Sequence, residues 1–270
     1  MKGTAFFQQY PDSPASLIEL PPQAPSYRIA GGTSMLLKTL YNALDKEDVL
    51  FNQTVKKIQE QNNSIVIEAT ENHEADLVVL AIPPKLWAQH ISFIPDLSFS
   101  LKNIATKTHT WMEDSMKVAF VYETPFWREK KQSGTFFSNT GPITELYDHT
   151  NLEGNKYALC GFVNPNMKDL AIEERKTVLT TQLRENFGEE ATQFTEYQEC
   201  MWSEEKNTFT PSLPPLHTHQ NNGNPIFTKN PYKNRLLFSS TEVSPHHGGY
   251  MEGAVFIAEE IANKILQQLS

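Results

Sequence analysis

The sequence contains few cysteines, no long apolar run and no excess of positive charge. Its two cysteines, Cys160 and Cys200, are too few for a disulfide framework, and they favour a reducing compartment such as the cytoplasm. The formal net charge of −9 argues against nucleic acids and acidic membranes as partners. No segment has the length and apolarity of a membrane span, and no signal-peptide core is present. We therefore expect a soluble, cytoplasmic protein.

A second absence concerns glycine. The fingerprint G-x-G-x-x-G, with which a strand–turn–helix unit binds a dinucleotide, does not occur in the 270 residues. The pair Gly31-Gly32 precedes a helical pattern that Thr33 or Ser34 can cap. A glycine entry to an amphipathic helix explains this pair better than a phosphate-binding loop does.

The apolar pattern predicts a mixed arrangement of helices and strands. Apolar residues make up 39% of the chain, which is enough for one large domain or two interleaved ones. The strand at 76–82 is a near-continuous apolar run, which is typical of burial on both faces. The long polar segment 203–234 predicts a functional or mobile loop. Other strands are predicted at 54–60, 64–68, 116–122, 134–138, 143–148, 157–163, 195–202 and 236–238, and helices at 34–44, 170–187 and 251–269.

The most informative segment follows the last strand. A polar loop, 239–247, leads to Gly248-Gly249, which stands directly before a helix. Glycine lets the backbone approach a ligand closely, and a helix N-terminus offers unpaired N–H groups. Such a loop can hold a negatively charged group, although by spacing alone a simple glycine turn is the better interpretation. The helix face predicted to be buried comprises Met251, Ala254, Val255, Ala258, Ile261, Ala262, Ile265 and Leu269.

Two motifs in this segment carry more information than their spacing. Phe238-Ser-Ser-Thr-Glu242 and Gly249-Tyr-Met-Glu-Gly-Ala254 resemble the C-terminal signature of the flavin monoamine oxidase family, in which F-A-G-T-E precedes G-Y-M-E-G-A. Earlier motifs occur in the family's order, including Ala81-Ile-Pro-Pro84 and Phe126-Trp127. The resemblance extends from about Tyr27 to Leu266, which is most of the chain.

The resemblance implies an α/β (mixed α+β), amine-oxidase-like fold. An incomplete FAD-binding domain, residues 27–83 and 226–270, would be interleaved with a mixed-sheet substrate domain, residues 1–26 and 84–225. The implied reaction oxidises the C–N bond of an amine to an imine, with FAD as the redox group and O₂ as the acceptor. Asn207-Thr-Phe-Thr210 stands where mitochondrial members carry a covalent cysteine, so FAD would be bound non-covalently.

The resemblance also assigns roles to single residues. Lys117 would hold a water against flavin N5, Trp202 would pack near the flavin, and Tyr250 would form one wall of an aromatic substrate cage. From its pattern alone, Lys117 fits better as an edge-strand lysine that reaches solvent. The residues expected at the cofactor are Val55 at the adenine, Ser240, Thr241 and Glu242 at the diphosphate and ribityl chain, and Gly249, Tyr250 and Met251 at the flavin ring.

The chain departs from the family pattern in ways that affect the cofactor site. The glycine fingerprint is missing, and Ser239-Ser240 replaces the family's Ala-Gly. The second tyrosine of the family's aromatic cage is also lost, and Phe209 or Thr210 stands near its position. The adjacent His246 and His247 predict a loop surface rather than a metal site. We expect a separate N-terminal nucleotide-binding segment or partner chain to complete the site. The incomplete sheet also predicts self-association into a homo-oligomer.

Two other functions remain open from the sequence. The chain could be an inactive remnant that serves as an interaction module and no longer binds FAD. It could also be a related desaturase or porphyrinogen-type oxidase. Lys117 together with the Gly-Tyr-Met-Glu-Gly motif favours the amine branch over this second alternative.

Overall fold

The structure, a computed structural model, describes residues 4–9, 16–19 and 27–269, which form two compact units. Each unit combines two stretches of chain, 1–46 with 114–202 in the first and 47–113 with 203–270 in the second. This interleaved, mixed α/β architecture confirms the predicted fold class. The predicted boundaries at 83/84 and 225/226 concern cofactor and substrate roles, and they stay a prediction.

The described ranges contain strands and helices in alternating groups. The strands are β1 (Thr4–Gln8), β2 (Ser16–Glu19), β3 (Lys57–Gln61), β4 (Ser64–Glu68), β5 (Asn72–Ala75), β6 (Val78–Leu80), β7 (Ser92–Ile94), β8 (Met116–Tyr122), β9 (Thr135–Ser138), β10 (Ile143–Asp148), β11 (Tyr157–Val163), β12 (Glu196–Met201) and β13 (Leu236–Phe238). The helices are α1 (Ser34–Ala43), α2 (Pro84–His90), α3 (Phe99–Thr106), α4 (Phe126–Glu129), α5 (Ile172–Phe187), α6 (Pro231–Asn234) and α7 (Met251–Leu269). None of these helices has the length and apolarity to cross a membrane.

The first unit is built on a seven-stranded sheet in the order β12-β8-β11-β10-β9-β1-β2. Alternation along β8 places Val118 and Phe120 in the core, whereas Lys117 lies on the opposite face. Helix α5 covers the core face with Leu179 and other apolar residues. It ends at Gly188, which caps the helix with a φ of 92° and an N–H bond to the carbonyl oxygen of Arg184. The bounds predicted for the five strands from β8 to β12 are confirmed to within one residue at each end.

Glycine is required at one point in this sheet. Gly161 on β11 pairs with Leu146 beside a register shift in β10, and a Cβ there would lie 1.9 Å from the carbonyl oxygen of Glu145. Because that neighbour is backbone, the sheet itself must shift. We expect Gly161→Ala to lower the free energy of unfolding by about 2–3 kcal/mol in urea titrations. Gly154→Ala is the comparison: nothing lies within 4 Å of that Cβ position, so it carries only the strain of its φ of +67°, about 1 kcal/mol. Equal losses in the two variants would contradict this account.

The second unit contains a four-stranded sheet, β5-β4-β3-β7, and a parallel pair, β13-β6. All three residues of β13 are buried, and Phe238 stacks on Trp87 with ring centroids 5.0 Å apart. The prediction that 76–82 is a strand buried on both faces is wrong in part. Only 78–80 form the strand, and only Leu80 is buried. The reason is that β6 pairs, among the described strands, with β13 alone.

The predicted buried face of α7 is also wrong in part. Gly253 and Ile257 are buried and Ile261 is half-buried, so the stripe in the core is offset from the predicted one. The helix packs on a parallel pair only two strands wide, which covers a narrow strip of its surface. The exposed residues of the predicted face are Met251, Ala254, Val255, Ala258 and Ala262, and Leu266 is exposed as well. Helix α1, by contrast, has no buried residue at all.

Candidate functional site

The loop between β13 and α7 is closed by one side chain. The hydroxyl of Thr241 donates to the carbonyl oxygen of Tyr250 at 2.6 Å and accepts from the N–H of Gly249 at 3.0 Å. A Cβ on Gly253 would lie 2.3 Å from the carbonyl oxygen of His247, so the first turn of α7 sits tightly under this loop. Thr241 therefore braces the loop, and its contact with a cofactor stays a prediction.

Three rings gather at the N-terminus of α7. Trp111 and His219 are stacked, with centroids 4.6 Å apart and planes at 14°. Tyr250, 49% exposed, lies 5.7 Å from His219 and 5.9 Å from Trp111. Gly249 makes this grouping possible, since its Cβ would lie 2.8 Å from the Trp111 Cβ. Trp111 and His219 were not predicted from the sequence. For His219, the only indication of a role was its place in the long polar loop 203–234.

A buried ion pair fixes the segment that carries Trp111. Lys85, 1% exposed, donates to Glu113 Oε1 at 2.7 Å and to Ser212 Oγ at 3.1 Å. Its Nζ also lies 5.5 Å from the Phe209 ring. Phe209, one of the two residues near the expected position of the second cage tyrosine, is thus packed against this lysine. Such pairs fix a local geometry more than they add stability.

A pair of glycines with almost the same backbone angle separates strain from crowding. Gly249 has φ of +88° and little space, whereas Gly32 has φ of +86° and nothing within 4 Å of its Cβ position. Gly32→Ala is expected to cost about 1–2 kcal/mol of left-handed strain. Gly249→Ala should cost about 1–3 kcal/mol more, because Trp111 must move. Urea unfolding gives the energies, and near-ultraviolet circular dichroism should change only for Gly249→Ala. An unchanged spectrum for that variant would count against the ring geometry.

Four buried polar atoms around this loop have no hydrogen-bond partner within the described chain. They are Ser240 Oγ, Glu242 Oε2, Thr110 Oγ1 and Asn222 Oδ1. Buried polar atoms are nearly always satisfied, and each orphan costs about 1–3 kcal/mol. A ligand with several hydroxyl groups would satisfy this set. The loop is therefore compatible with a polar ligand, and the contact of Ser240 and Glu242 with a cofactor stays a prediction.

Glu242 is the titratable member of this set, and its pKa is shifted. It is 2% exposed, and burial raises the pKa of its carboxyl above the usual 4.5. The hydroxyls of Ser240 and Thr110 lie near it and act in the opposite direction, but neither reaches hydrogen-bond geometry. Because the pKa of Glu242 is raised in the folded state, the protonated carboxyl makes its full contribution to the free energy of unfolding below the usual carboxyl pKa. That contribution is lost as the pH rises through the folded-state pKa.

This sign leads to a prediction for Glu242→Gln. At pH 7 the amide removes the cost of a buried carboxylate, so the free energy of unfolding should rise by about 1–3 kcal/mol. The gain should disappear in unfolding titrations below the usual carboxyl pKa of 4.5. Glu252→Gln, which alters an exposed acid at the start of α7, is the control and should change little. A destabilised Glu242→Gln at pH 7 would show that the carboxylate is well accommodated.

The other residues predicted at the cofactor occupy different settings. Val55 is half-buried against the core of the second unit. It precedes β3 instead of lying in it, so the predicted strand 54–60 begins three residues too early. Met251 is the first residue of α7 and is exposed. Together with Ser240, Thr241, Glu242, Gly249 and Tyr250, both belong to the second unit.

Lys117 and Trp202 belong to the first unit. Lys117 does not lie on an edge strand, because β8 runs between β12 and β11. Its Nζ lies 4.8 Å from the centroid of the Phe162 ring, on the sheet face opposite the core. Trp202 begins a short turn after β12, is 38% exposed, and donates its backbone N–H to the Ser115 carbonyl oxygen at 3.0 Å. The edge placement is thus wrong, whereas the Lys117 side chain is exposed to solvent as that interpretation expected, and the flavin roles of both residues stay predictions.

Comparison with known proteins identifies the family. The sequence profile "Flavin containing amine oxidoreductase" matches residues 15–266. The chain is 29% identical to amine oxidase [flavin-containing] B of Canis lupus familiaris over 255 residues, and also to that of Homo sapiens over 254 residues. These alignments cover 90% of this chain and 47% of each relative, so the chain spans about half the length of its curated relatives.

Solved structures agree with this result. Wild-type putrescine oxidase bound to putrescine matches with a TM-score of 0.74 and 26% identity, over 88% of this chain and 53% of that one. Cyclohexylamine oxidase from Brevibacterium oxydans IH-35A has the same fold, with a TM-score of 0.76 and 22% identity over the same shares. From the family profile and the sequence identities, the chain belongs to the family of flavin-containing amine oxidoreductases.

Proposed function

We propose that this chain forms the substrate-binding part and the flavin-ring part of an FAD-dependent amine oxidase. The reaction would convert the C–N bond of an amine to an imine, with O₂ as the acceptor. The observation that carries the proposal is the set of partnerless buried atoms at the loop after β13, next to a glycine and three aromatic rings. This set fits the hydroxyl-rich chain and planar ring of a flavin nucleotide.

The residues of this chain would have distinct tasks. Ser240 and Glu242 would hold the polar chain of a non-covalently bound FAD, and Gly249, Tyr250 and Met251 would border its ring. When bound, FAD supplies the acceptor for a hydride equivalent and passes the electrons to O₂. The first unit would present Lys117 as a positive charge that holds a water in place.

The proposal includes a nucleotide-binding segment that is not among these 270 residues, supplied by the same polypeptide or by a partner chain. The β6–β13 pair supports it, because parallel sheets are normally wider and covered on both faces. The exposed apolar surface of α7 supports it as well, because such surface is commonly covered by another element.

Co-expression of this chain with a nucleotide-binding segment that carries G-x-G-x-x-G, where the neighbouring DNA encodes one, tests the proposal. We expect a yellow complex with one FAD per chain, whose visible absorbance is lost on anaerobic addition of an amine. Air should restore the colour and release hydrogen peroxide. A complex that binds FAD but is not bleached by any of a panel of primary amines that includes amino acids would contradict the amine oxidase function.

A second candidate function is an interaction module that has lost FAD. The replacement of Ala-Gly by Ser239-Ser240 favours it, because a side chain then lies where the family backbone approaches the cofactor. A complex with the nucleotide-binding segment that remains colourless during FAD titration would support this function.

A further inference from the structure

The first unit carries a cleft on the sheet face opposite its core. The cleft has a volume of about 480 Å³ and lies over β8, β11 and β12. Lys117 and Phe162 form one part of its wall, and Arg28, Tyr147 and His149 form another. Lys117 is the residue with a proposed role in oxidation, so this cleft is where a substrate would lie.

The cleft is cationic although the chain carries a formal charge of −9. Arg28 donates to the Asp148 backbone carbonyl at 2.7 Å, and Lys117 lies over the Phe162 ring. Neither side chain forms an ion pair with another residue in the described ranges. The pKa of His149 is lowered, mainly by partial burial and then by the positive charges of Arg28 and Lys117. Asp148 acts in the opposite direction. The Arg28 and Lys117 charges therefore remain available to a ligand.

Glu199 is the one acidic residue among those that line the cleft, and its charge is balanced by an arginine. Glu199 is held by Arg175 and accepts from the Tyr197 hydroxyl at 2.5 Å. Glu145 accepts from the Tyr147 hydroxyl at 2.7 Å and is not among the residues that line the cleft.

The third acid, Asp148, accepts from Trp127 Nε1 at 2.9 Å, Arg128 Nε at 2.6 Å and the Thr150 N–H at 2.8 Å. The thiol of Cys160 adds no charge at neutral pH, because burial raises its pKa to about 11 despite Arg28 and Lys117. The cleft thus has two cations to offer, and the one carboxylate among its lining residues is paired with Arg175, which leaves none there for a second ammonium group.

We propose that this cleft binds a carboxylate, so that the substrate is an amine that also carries a carboxylate group, such as an amino acid, and not a diamine. Arg28 would bind the carboxylate through its guanidinium, and the Lys117 charge would add to the attraction. The aromatic Phe162 and Tyr147 would contact the apolar part of the same molecule. The substrate assignment rests on the proposed function, whereas the anion site itself does not.

Binding to the 270-residue chain alone tests the site without flavin. The probes are phenylacetate, its neutral isostere 2-phenylacetamide and the ammonium analogue 2-phenylethylamine, measured by titration calorimetry. We expect phenylacetate to bind about tenfold more tightly than 2-phenylacetamide, as for a charge-assisted contact. Added salt should weaken phenylacetate binding and leave the amide unchanged.

Variants locate the binding. Arg28→Met and Lys117→Met should each weaken phenylacetate binding about five- to tenfold, and Arg28→Lys should recover most of the loss. Lys156→Met, an exposed lysine of the same unit outside the cleft, should have no effect. Equal affinities for acid and amide, tightest binding of the amine, or phenylacetate binding that is insensitive to Arg28→Met and Lys117→Met would each overturn the proposal.

The test of the carboxylate site can be distinguished from the test of the amine oxidase function. If the co-expressed complex oxidises amines but the chain shows no preference for phenylacetate, the carboxylate assignment alone is wrong. If phenylacetate binds as expected but amines leave the flavin coloured, the anion site stands and the amine oxidase function is wrong.

Discussion

Replacement of Glu199 by alanine is expected to lower the free energy of unfolding of the first unit by about 3–5 kcal/mol, because it leaves a buried guanidinium unpaired. Arg175 is 5% exposed, and its Nε donates to Glu199 Oε2 at 3.0 Å while its Nη2 contacts Oε1. Its Nη1 donates to the carbonyl oxygen of Leu170 at 2.8 Å. The pair joins α5 to β12, so its loss weakens the main helix–sheet contact.

The pH dependence gives a second readout for the same variant. Burial alone would raise the pKa of Glu199, but Arg175 and Tyr197 outweigh it and hold the pKa below 4.5. A lowered pKa contributes stability above the unfolded-state value, and that stability is lost as the pH falls through the folded-state value. The difference between wild type and Glu199→Ala should therefore shrink in acid.

An exposed ion pair in the same unit provides the control. Glu189 pairs with Arg184 at 3.0 Å, and both side chains are largely exposed. Glu189→Ala should change the free energy of unfolding by less than about 1 kcal/mol. Urea unfolding over a range of pH values measures both variants. Similar losses for Glu199→Ala and Glu189→Ala would mean that burial of Arg175 does not determine the stability of this contact.

Lys117→Met should produce the largest effect on the proposed reaction. Methionine keeps the length of the side chain and removes its charge. If the ammonium group stabilises negative charge that develops as O₂ is reduced, kcat/KM for O₂ should fall by about 100-fold, a typical loss for one preorganised electrostatic group. Stopped-flow reoxidation of the amine-reduced complex measures this step separately from amine binding.

Two further variants separate charge from fold. Lys117→Arg should retain much of the rate if positive charge is what matters, and Lys156→Met should behave as wild type. Because Lys117 lies on the exposed face of β8, Lys117→Met should leave urea unfolding almost unchanged. A kcat/KM for O₂ within about twofold of wild type would mean that Lys117 has no role in this step, since a twofold change corresponds to only about 0.4 kcal/mol.

Local sequence patterns were sufficient for much of the fold. Alternation identified β8, β10 and β11 because one face of their sheet is packed and the other is not. The continuous apolar run of β13 identified a fully buried strand. Gly188 was predictable because a positive φ at a helix end favours glycine.

The errors arise where burial depends on distant partners. The apolar residues of α7 occupy more than one stripe, and which stripe is buried depends on the width of the sheet beneath it. Similarly, 76–82 has the composition of a central strand, but β6 has only β13 beside it in the described chain. Sequence periodicity identifies an apolar face but not the element that covers it.

The site was predictable only where a motif carried it. The Ser-Ser-Thr-Glu and Gly-Tyr-Met motifs identified the loop that the structure folds against α7. Trp111 and His219 lie far from each other in the sequence and in no motif, so only the folded chain brings their rings together. Arg28 meets the cleft for the same reason, through a hydrogen bond to a strand more than a hundred residues away.

An FAD titration of the co-expressed complex, followed by quenching of flavin fluorescence, tests the central claim most directly. The account predicts saturable binding of one FAD per chain, with strong quenching by the aromatic rings at α7. Tyr250→Leu should reduce the quenching and Gly249→Ala should weaken the binding, whereas Gly32→Ala should leave both unchanged. FAD binding with wild-type affinity and quenching in both Tyr250→Leu and Gly249→Ala would contradict the account, because the flavin would then lie elsewhere.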